Sequence, residues 1–190
     1  MSIRLHLLCA ASTSATRAVS FPANEPVDEL GRKALSALAD TLPPFEKIWA
    51  SPALCAVQTG EALKLCANND ALLRDCDFGR WAGRTFSAVQ AAEPDALAAW
   101  LSDPAAAPHG GESFAAVMAR AKTFLDRMLS ASGSTLAITH PTIIRACIAC
   151  ALDAGAHAMG HIDISPLSRA TLSGASGRWT FKALLPHQAR

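Results

Sequence analysis

Residues 135–152 read TLAITHPTIIRACIACAL, and this stretch decides the fold. Residues 135–139 are a short run of apolar and β-branched residues, which is typical of a buried strand, and residues 143–152 continue as an apolar helix. His140 and Pro141 stand at the junction, and a proline at the first helical position favours a helix start. A strand that leads directly into a helix indicates an α/β protein.

The same alternation recurs along the chain. An apolar strand is predicted at residues 3–9 and another at residues 47–50. Helical spacing of leucine and alanine predicts a helix over residues 28–42. Ser51 and Pro52 resemble an N-cap and a first helical residue, so a further helix is expected to run from there to about residue 65.

The second half of the chain begins with a glycine-containing loop and ends with a hairpin. The predicted segments are a loop at 68–85, helical sequence to about 102 broken by Pro94, a helix over 112–129, and hairpin strands at 169–173 and 179–184. We therefore expect an α/β fold of three layers, in which a mostly parallel sheet carries helices on both faces. Residues 1–190 are expected to form a single domain, with a helical insertion around 86–108.

The composition excludes several classes of function. Hydrophobic residues make up 51% of the 190 residues and charged residues 17%, which is typical of a globular protein. Seventeen Lys and Arg residues against sixteen Asp and Glu leave a net charge of +1, so nucleic acid is not an expected partner. The sequence lacks the roughly 18 consecutive apolar residues of a membrane helix, so no membrane association is expected.

Cysteine usage and the N-terminus indicate the compartment. Six cysteines in a chain of this size suit a reducing environment better than a disulfide framework. The Cys147–Cys150 pair falls within an apolar helix and is interpreted as two buried side chains. The apolar run after Arg4 imitates a short signal sequence, but His6 interrupts it. We expect a cytoplasmic protein.

Three junctions are expected to meet. In parallel sheets, ligands bind beyond the carboxyl ends of the strands. Residues 9–13, 51–55 and 139–141 each follow a predicted strand, and only the third offers an obvious catalytic side chain, His140. The start of a helix would favour a neutral imidazole there. Asp75 and Glu112 lie in polar loops that could contribute carboxylates.

Five segments of this chain occur in the same order as the matching segments of a known protein family. The segments concerned are LRDCDFGRWAGRT at 73–85, PHGGES at 108–113, ELG at 29–31, SPALCAVQT at 51–59 and TH at 139–140. Together they resemble the phosphoglycerate mutase-like histidine phosphatase superfamily over nearly the whole chain. The resemblance implies that His140 is the second catalytic histidine, that Asp75 replaces the glutamate general acid, and that Glu112 belongs to a turn near the pocket.

The departures from this family fall on its reacting groups. The first strand of the family ends in Arg-His-Gly, whose histidine becomes phosphorylated, whereas this chain has Cys9, Ala10 and Ala11. Cys55 stands where the family has a second phosphate-binding arginine. Pro141 follows the second histidine and has no backbone N–H to donate. Each lost charge-assisted hydrogen bond is worth about 1.5–3 kcal/mol, so phosphate binding should be severely weakened.

The resemblance therefore favours a catalytically impaired or inactive member that is kept for binding a small molecule or a protein. Its pocket positions would be Cys9, Ala10, Ser12, Cys55 and Arg74. The alternative is an active phosphatase or small-molecule hydrolase that uses His140 with Asp75 or Glu112. No cofactor or bound metal is expected, and a homodimer is left open.

Three further alternatives concern the pocket cysteines and His6. Cys9 could act as a thiolate nucleophile, although no arginine is obviously placed to lower its pKa. Cys9, Cys55 and His140 with a carboxylate could bind zinc, although cysteine side chains are short for that span. A Cys9–Cys55 disulfide would need the two Cα atoms within about 7 Å. His6 is offset from the strand end and does not replace the missing nucleophile.

Overall fold

The described residues form a six-stranded sheet in which four adjacent strands run parallel to one another. The computed structural model describes residues 2–187, apart from the side chain of Asp40. The strands are β1 (Ser2–Cys9), β2 (Lys47–Ala50), β3 (Asn68–Asn69), β4 (Gly133–Thr139), β5 (Arg169–Ala175) and β6 (Arg178–Leu185). They are ordered β3-β2-β4-β1-β5-β6. The pairs β3–β2, β2–β4 and β4–β1 are parallel, and β5 and β6 join as an antiparallel hairpin.

Helices cover both faces of this sheet. They are α1 (Ser14–Ala18), α2 (Glu29–Leu38), α3 (Leu54–Ala62), α4 (Phe86–Ala92), α5 (Pro94–Ser102), α6 (Phe114–Leu129) and α7 (Pro141–Ala151). Short 3-10 turns occupy Ala39–Thr41, Ala71–Leu73, Gly79–Trp81 and Ala156–His161. Within residues 2–187, none of the helices has the length and hydrophobicity that a bilayer crossing requires.

The two faces of the sheet bury separate hydrophobic clusters. Successive residues of a strand point to opposite faces. Along β4, Ala137 therefore joins the cluster beneath α6 and α7, whereas Leu136 and Ile138 join the cluster beneath α2 and α3. Burial on both faces explains why the strand is apolar throughout. The predicted three-layer, mostly parallel α/β fold is confirmed.

The start of α3 was predicted wrongly. We expected Ser51 as the N-cap and Pro52 as the first helical residue, but α3 begins at Leu54 and its N-cap residue is Ala53. The Ser51 hydroxyl instead contacts His140. The Leu54 N–H donates to the side-chain oxygen of Asn24 at 2.8 Å, so the cap comes from thirty residues upstream. α2 also ends earlier than predicted, at Leu38, and continues only as a 3-10 turn.

A backbone crossing fixes the loop that carries Asp75. Glu112 N–H donates to Asp77 C=O at 2.8 Å, and Arg80 N–H donates to His109 C=O at 3.1 Å. A Cβ on Gly111 would lie 2.0 Å from the Asp77 carbonyl oxygen, and a Cβ on Gly79 would lie 2.2 Å from that of His109. Both glycines are therefore required because two backbones touch.

We expect Gly111→Ala to lower the free energy of unfolding by about 1–3 kcal/mol, because its methyl group must displace backbone atoms rather than a flexible side chain. Gly155→Ala is the matched control: a Cβ there meets nothing within 4 Å, and the residue has an ordinary φ of −67°. The control should change stability by less than about 0.5 kcal/mol. Urea denaturation measures both, and equal stabilities of the two variants would contradict the close contact.

Candidate functional site

The carboxyl ends of β1, β2 and β4 meet at one edge of the sheet. Ala10 N–H donates to Thr139 C=O at 2.8 Å, and Ser51 N–H donates to Ile138 C=O at 2.8 Å. The residues that follow the three strands therefore lie side by side. The predicted convergence of the three junctions is observed.

A cavity of about 660 Å³ opens above this edge. Six of the eight predicted site residues line it: Cys9, Ala10, Cys55, Arg74, Asp75 and His140. Ser12 and Glu112 are not among its lining residues. The functional roles that the resemblance assigns to these eight residues stay predictions.

His140 is buried at the N-terminus of α7, with Pro141 in the first turn, as the sequence predicted. Its Nε2 lies 2.8 Å from Ser51 Oγ, and its Nδ1 lies 3.7 Å from Asp75 Oδ2. Burial lowers the pKa of the imidazole below its usual value, and Arg120 lowers it further, although Asp75 acts in the opposite direction. The ring is therefore neutral near pH 7, and at 3.7 Å from a neutral imidazole the Asp75 carboxylate forms no ion pair.

One contact holds the loop of Asp75 against the sheet, and a second contact within the loop orients the Asp75 side chain. Thr139 Oγ1 donates to Leu73 C=O at 2.6 Å, which ties the end of β4 to the start of the loop. Asp75 Oδ1 accepts from the N–H of Cys76 at 2.8 Å. The Asp75 side chain is 15% exposed, so the carboxylate lies largely out of solvent but faces the cavity.

Glu112 is held by arginine. Arg120 donates to Glu112 Oε2 at 2.6 Å and to Oε1 at 2.9 Å, and Arg74 Nη2 lies 3.5 Å from Oε1. Burial raises the pKa of Glu112, but the hydrogen bonds from Arg120 and the Asp77 N–H outweigh it, so the net pKa is lowered. A strongly ionised carboxylate that is engaged in this way is a poor proton donor.

Arg120 was missed by the sequence analysis. Its side chain is 8% exposed and also donates to the carbonyl oxygens of Leu72, Arg74 and Asp75. It therefore clamps the loop that carries Asp75. The sequence held a signal for the pairing of Arg120 with Glu112. Eight residues, or about two helical turns, separate them on the predicted helix.

Ser12 serves the start of α2 instead of the cavity. Its hydroxyl donates to Asp28 Oδ1 at 2.8 Å, and the same oxygen accepts from the Gly31 N–H at 2.7 Å. Asp28 is the N-cap residue of α2, and its other oxygen lies 3.1 Å from Arg17 Nε. The Ser12 hydroxyl is therefore engaged at the start of α2, and the residue does not line the cavity.

The cavity cysteines are neutral thiols. Burial, followed by the nearby Asp75 charge, raises the pKa of Cys9 far above its usual range and that of Cys55 to about 11. Cys76 lines the cavity as well, and burial likewise raises the pKa of its thiol far above the usual range. All three are free cysteines. Across residues 2–187, no group of three or more His, Cys, Asp and Glu side chains is arranged to hold a metal ion. The thiolate, disulfide and zinc alternatives therefore gain no support from the geometry.

Arg145 and Glu25 also line the cavity and were not anticipated. Arg145 lies on α7, five residues after His140. Its Nε donates to Ile162 C=O at 2.7 Å. A single arginine within the apolar run of residues 143–152 was the signal that could have identified it. Glu25 lies in the loop before α2, where the sequence offered no comparable signal.

Comparison with known proteins identifies relatives. Thirty-seven per cent of 117 aligned residues are identical to the bifunctional protein Rv2228c of Mycobacterium tuberculosis, over 60% of this chain and 32% of that protein. A glucosyl-3-phosphoglycerate phosphatase of the same species is 37% identical over 75 residues, covering 40% of this chain and 34% of that protein. The chain thus spans about a third of the length of the curated relatives it matches.

Solved structures match over the full chain. The mycobacterial glucosyl-3-phosphoglycerate phosphatase Rv2419c in complex with VO3 superposes with a TM-score of 0.84 at 26% identity, covering 98% of this chain and 99% of that one. A putative alpha-ribazole-5'-P phosphatase from Escherichia coli has a TM-score of 0.88 at 21% identity, covering 99% and 98%, and supports the fold alone. Residues 5–185 match the sequence profile of the Histidine phosphatase superfamily (branch 1). The chain belongs to the histidine phosphatase superfamily, branch 1.

Proposed function

We propose that this protein binds a small ligand in the cavity and does not hydrolyse phosphomonoesters through a phosphohistidine. The observation that carries the proposal is the side chain at the end of β1. Ala10 lies there, next to the end of β4, at the position where the family resemblance calls for the nucleophilic histidine. A methyl group cannot accept a phosphoryl group.

The neighbouring groups do not supply a substitute nucleophile. Thiols attack as thiolates, and the raised pKa values of Cys9, Cys55 and Cys76 keep all three protonated near pH 7. Phosphoryl transfer depends almost entirely on positioning and on charge stabilisation. Of the two arginines that line the cavity, Arg74 points toward Glu112, which leaves Arg145 as the remaining cation.

The second candidate function is hydrolysis by His140 with Asp75 or Glu112, either of phosphomonoesters or of other small molecules. His140 lies between Ser51, at 2.8 Å, and Asp75, at 3.7 Å. This arrangement resembles a base between a serine nucleophile and an orienting carboxylate. However, Ser51 is fully buried and does not line the cavity, so a substrate could not reach its Oγ. Glu112 is engaged by Arg120. The burial of Ser51 and the engagement of Glu112 favour ligand binding over hydrolysis.

The names of the similar proteins provide a test that distinguishes ligand binding from phosphatase activity. One similar mycobacterial protein is named a glucosyl-3-phosphoglycerate phosphatase, and a structure of the mycobacterial phosphatase Rv2419c contains VO3. If this chain acted as they do, inorganic phosphate and vanadate should bind in the cavity. The proposal makes the opposite prediction.

We expect the native protein to release no phosphate from p-nitrophenyl phosphate and to give no heat with phosphate or vanadate in calorimetric titration. The triple variant Cys9→Arg/Ala10→His/Cys55→Arg should gain binding of both anions, because each restored charge-assisted hydrogen bond is worth about 1.5–3 kcal/mol. The control Cys66→Arg adds a charge at an exposed cysteine and should gain nothing. Turnover by the native protein that disappears in His140→Ala would contradict the proposal.

The protonation of His140 can be followed by NMR. We expect its midpoint below the ordinary 6.5, because burial disfavours the charged ring. Since the unfolded chain then binds the proton more tightly, His140 makes the folded state lose stability as the pH falls below about 6.5. Asp75→Asn should lower the midpoint further, because the Asp75 charge raises it.

Asp95→Asn, at an exposed position on α5, is the matched control for this titration and should leave the midpoint unchanged. A native midpoint at or above about 6.5 would contradict the environment described for His140. An increase in the midpoint on Asp75→Asn would contradict it as well.

A further inference from the structure

The charges around the cavity do not balance. Three carboxylates line it, those of Glu25, Asp75 and Asp77, together with the guanidinium groups of Arg74 and Arg145. Arg74 is directed to Glu112, which lies outside the lining. The cavity therefore keeps more negative than positive charge for a ligand.

Asp75 faces the cavity without a cationic partner among residues 2–187. The one basic side chain within 4 Å of its carboxylate is His140, at 3.7 Å, and that imidazole is neutral near pH 7. The buried Arg120 approaches the Asp75 carbonyl oxygen but directs its ion pair to Glu112. A carboxylate that is largely out of solvent without a cation is costly, so a cation bound in the cavity would stabilise it.

Arg145 also lines the cavity, but its contacts lie elsewhere. Its Nε donates to Ile162 C=O at 2.7 Å, and among the described residues no ion pair within 4 Å joins it to Asp75, Asp77 or Glu25.

The rest of the wall is mostly apolar, although Thr13, Thr16, Ser20, Asn24 and Thr142 add hydroxyl and amide groups. Ala10, Ala53, Phe78 and Ile164 contribute hydrocarbon surface, and Cys9 and Cys55 contribute uncharged thiols. The face of an aromatic ring such as that of Phe78 also attracts cations. Such a wall suits a ligand whose body is hydrophobic and whose charge is confined to one end.

We propose that the cavity binds an organic ammonium ion with an apolar body, whose charged group lies beside Asp75. This inference rests on the proposed binding role and names the class of ligand. It depends on the Asp75 carboxylate, which has no cationic partner among the described residues, on the mostly apolar wall, and on the excess of carboxylates over guanidinium groups around the cavity. Neither a phosphate nor a carboxylate would meet these requirements.

The test compares three probes of similar shape on the native protein: 2-phenylethylamine, 2-phenylethanol and 3-phenylpropionate, titrated in protein-observed NMR at pH 7. We expect the ammonium to bind at least about tenfold more tightly than the alcohol, and the carboxylate more weakly than either. Shifts should concentrate at residues lining the cavity. Added salt should weaken the binding of the ammonium more than that of the alcohol.

Asp75→Asn should reduce the preference for the ammonium over the alcohol to less than about threefold, whereas Asp95→Asn, which removes a similar charge on α5, should retain it. Asn can keep the oxygen that accepts from Cys76, so the variant should fold, and its thermal midpoint should equal or exceed that of the native protein because a desolvated charge is removed. This measurement also separates lost binding from lost structure.

Equal binding of ammonium and alcohol, tighter binding of the carboxylate, no binding of the ammonium, or an unchanged preference in Asp75→Asn would each overturn the ligand class. These outcomes leave the proposed function intact as long as phosphomonoesters are not hydrolysed. Hydrolysis by the native protein would overturn the proposed function whichever probe binds.

Discussion

The site depends on the parallel pairing of β1, β4 and β2. Their hydrogen-bond ladder brings three carboxyl ends to one edge, and the contacts of Ala10 with Thr139 and of Ser51 with Ile138 continue the ladder past the strands. A sheet covered by helices on both faces leaves this edge as the natural place for a cavity. The positions of His140 and of the loop that carries Asp75 follow from it.

The strongest family resemblance concerns the scaffold around the cavity. Phe78 and Trp81 pack in an aromatic group with Phe21, and Gly79 and Gly111 allow two backbones to cross. These residues fix the place of the Asp75 loop through packing and backbone contacts. A chain can therefore keep the family's shape while the end of β1 carries a methyl group. For this reason the family fold of this chain does not by itself establish that the chain catalyses the family reaction.

Local patterns predicted most of the helices and strands, although not α1 or β3, and a long-range contact caused the error at the start of α3. The strand β2 was predicted to the residue and β4 to within two, because an apolar run between polar residues is a local signal. The start of α3 was missed because Asn24, thirty positions upstream, caps it. The sequence likewise placed Glu112 near the pocket but could not reveal that Arg120 engages it.

The central claim is that no side chain in the cavity accepts a phosphoryl group. Intact-mass spectrometry of the native protein after incubation with p-nitrophenyl phosphate, with acid quenching avoided because phosphohistidine is acid-labile, tests it most directly. The account predicts an unchanged mass for the native protein. An adduct with the mass of one phosphoryl group, mapped to His140, Cys9 or Cys55, would contradict it.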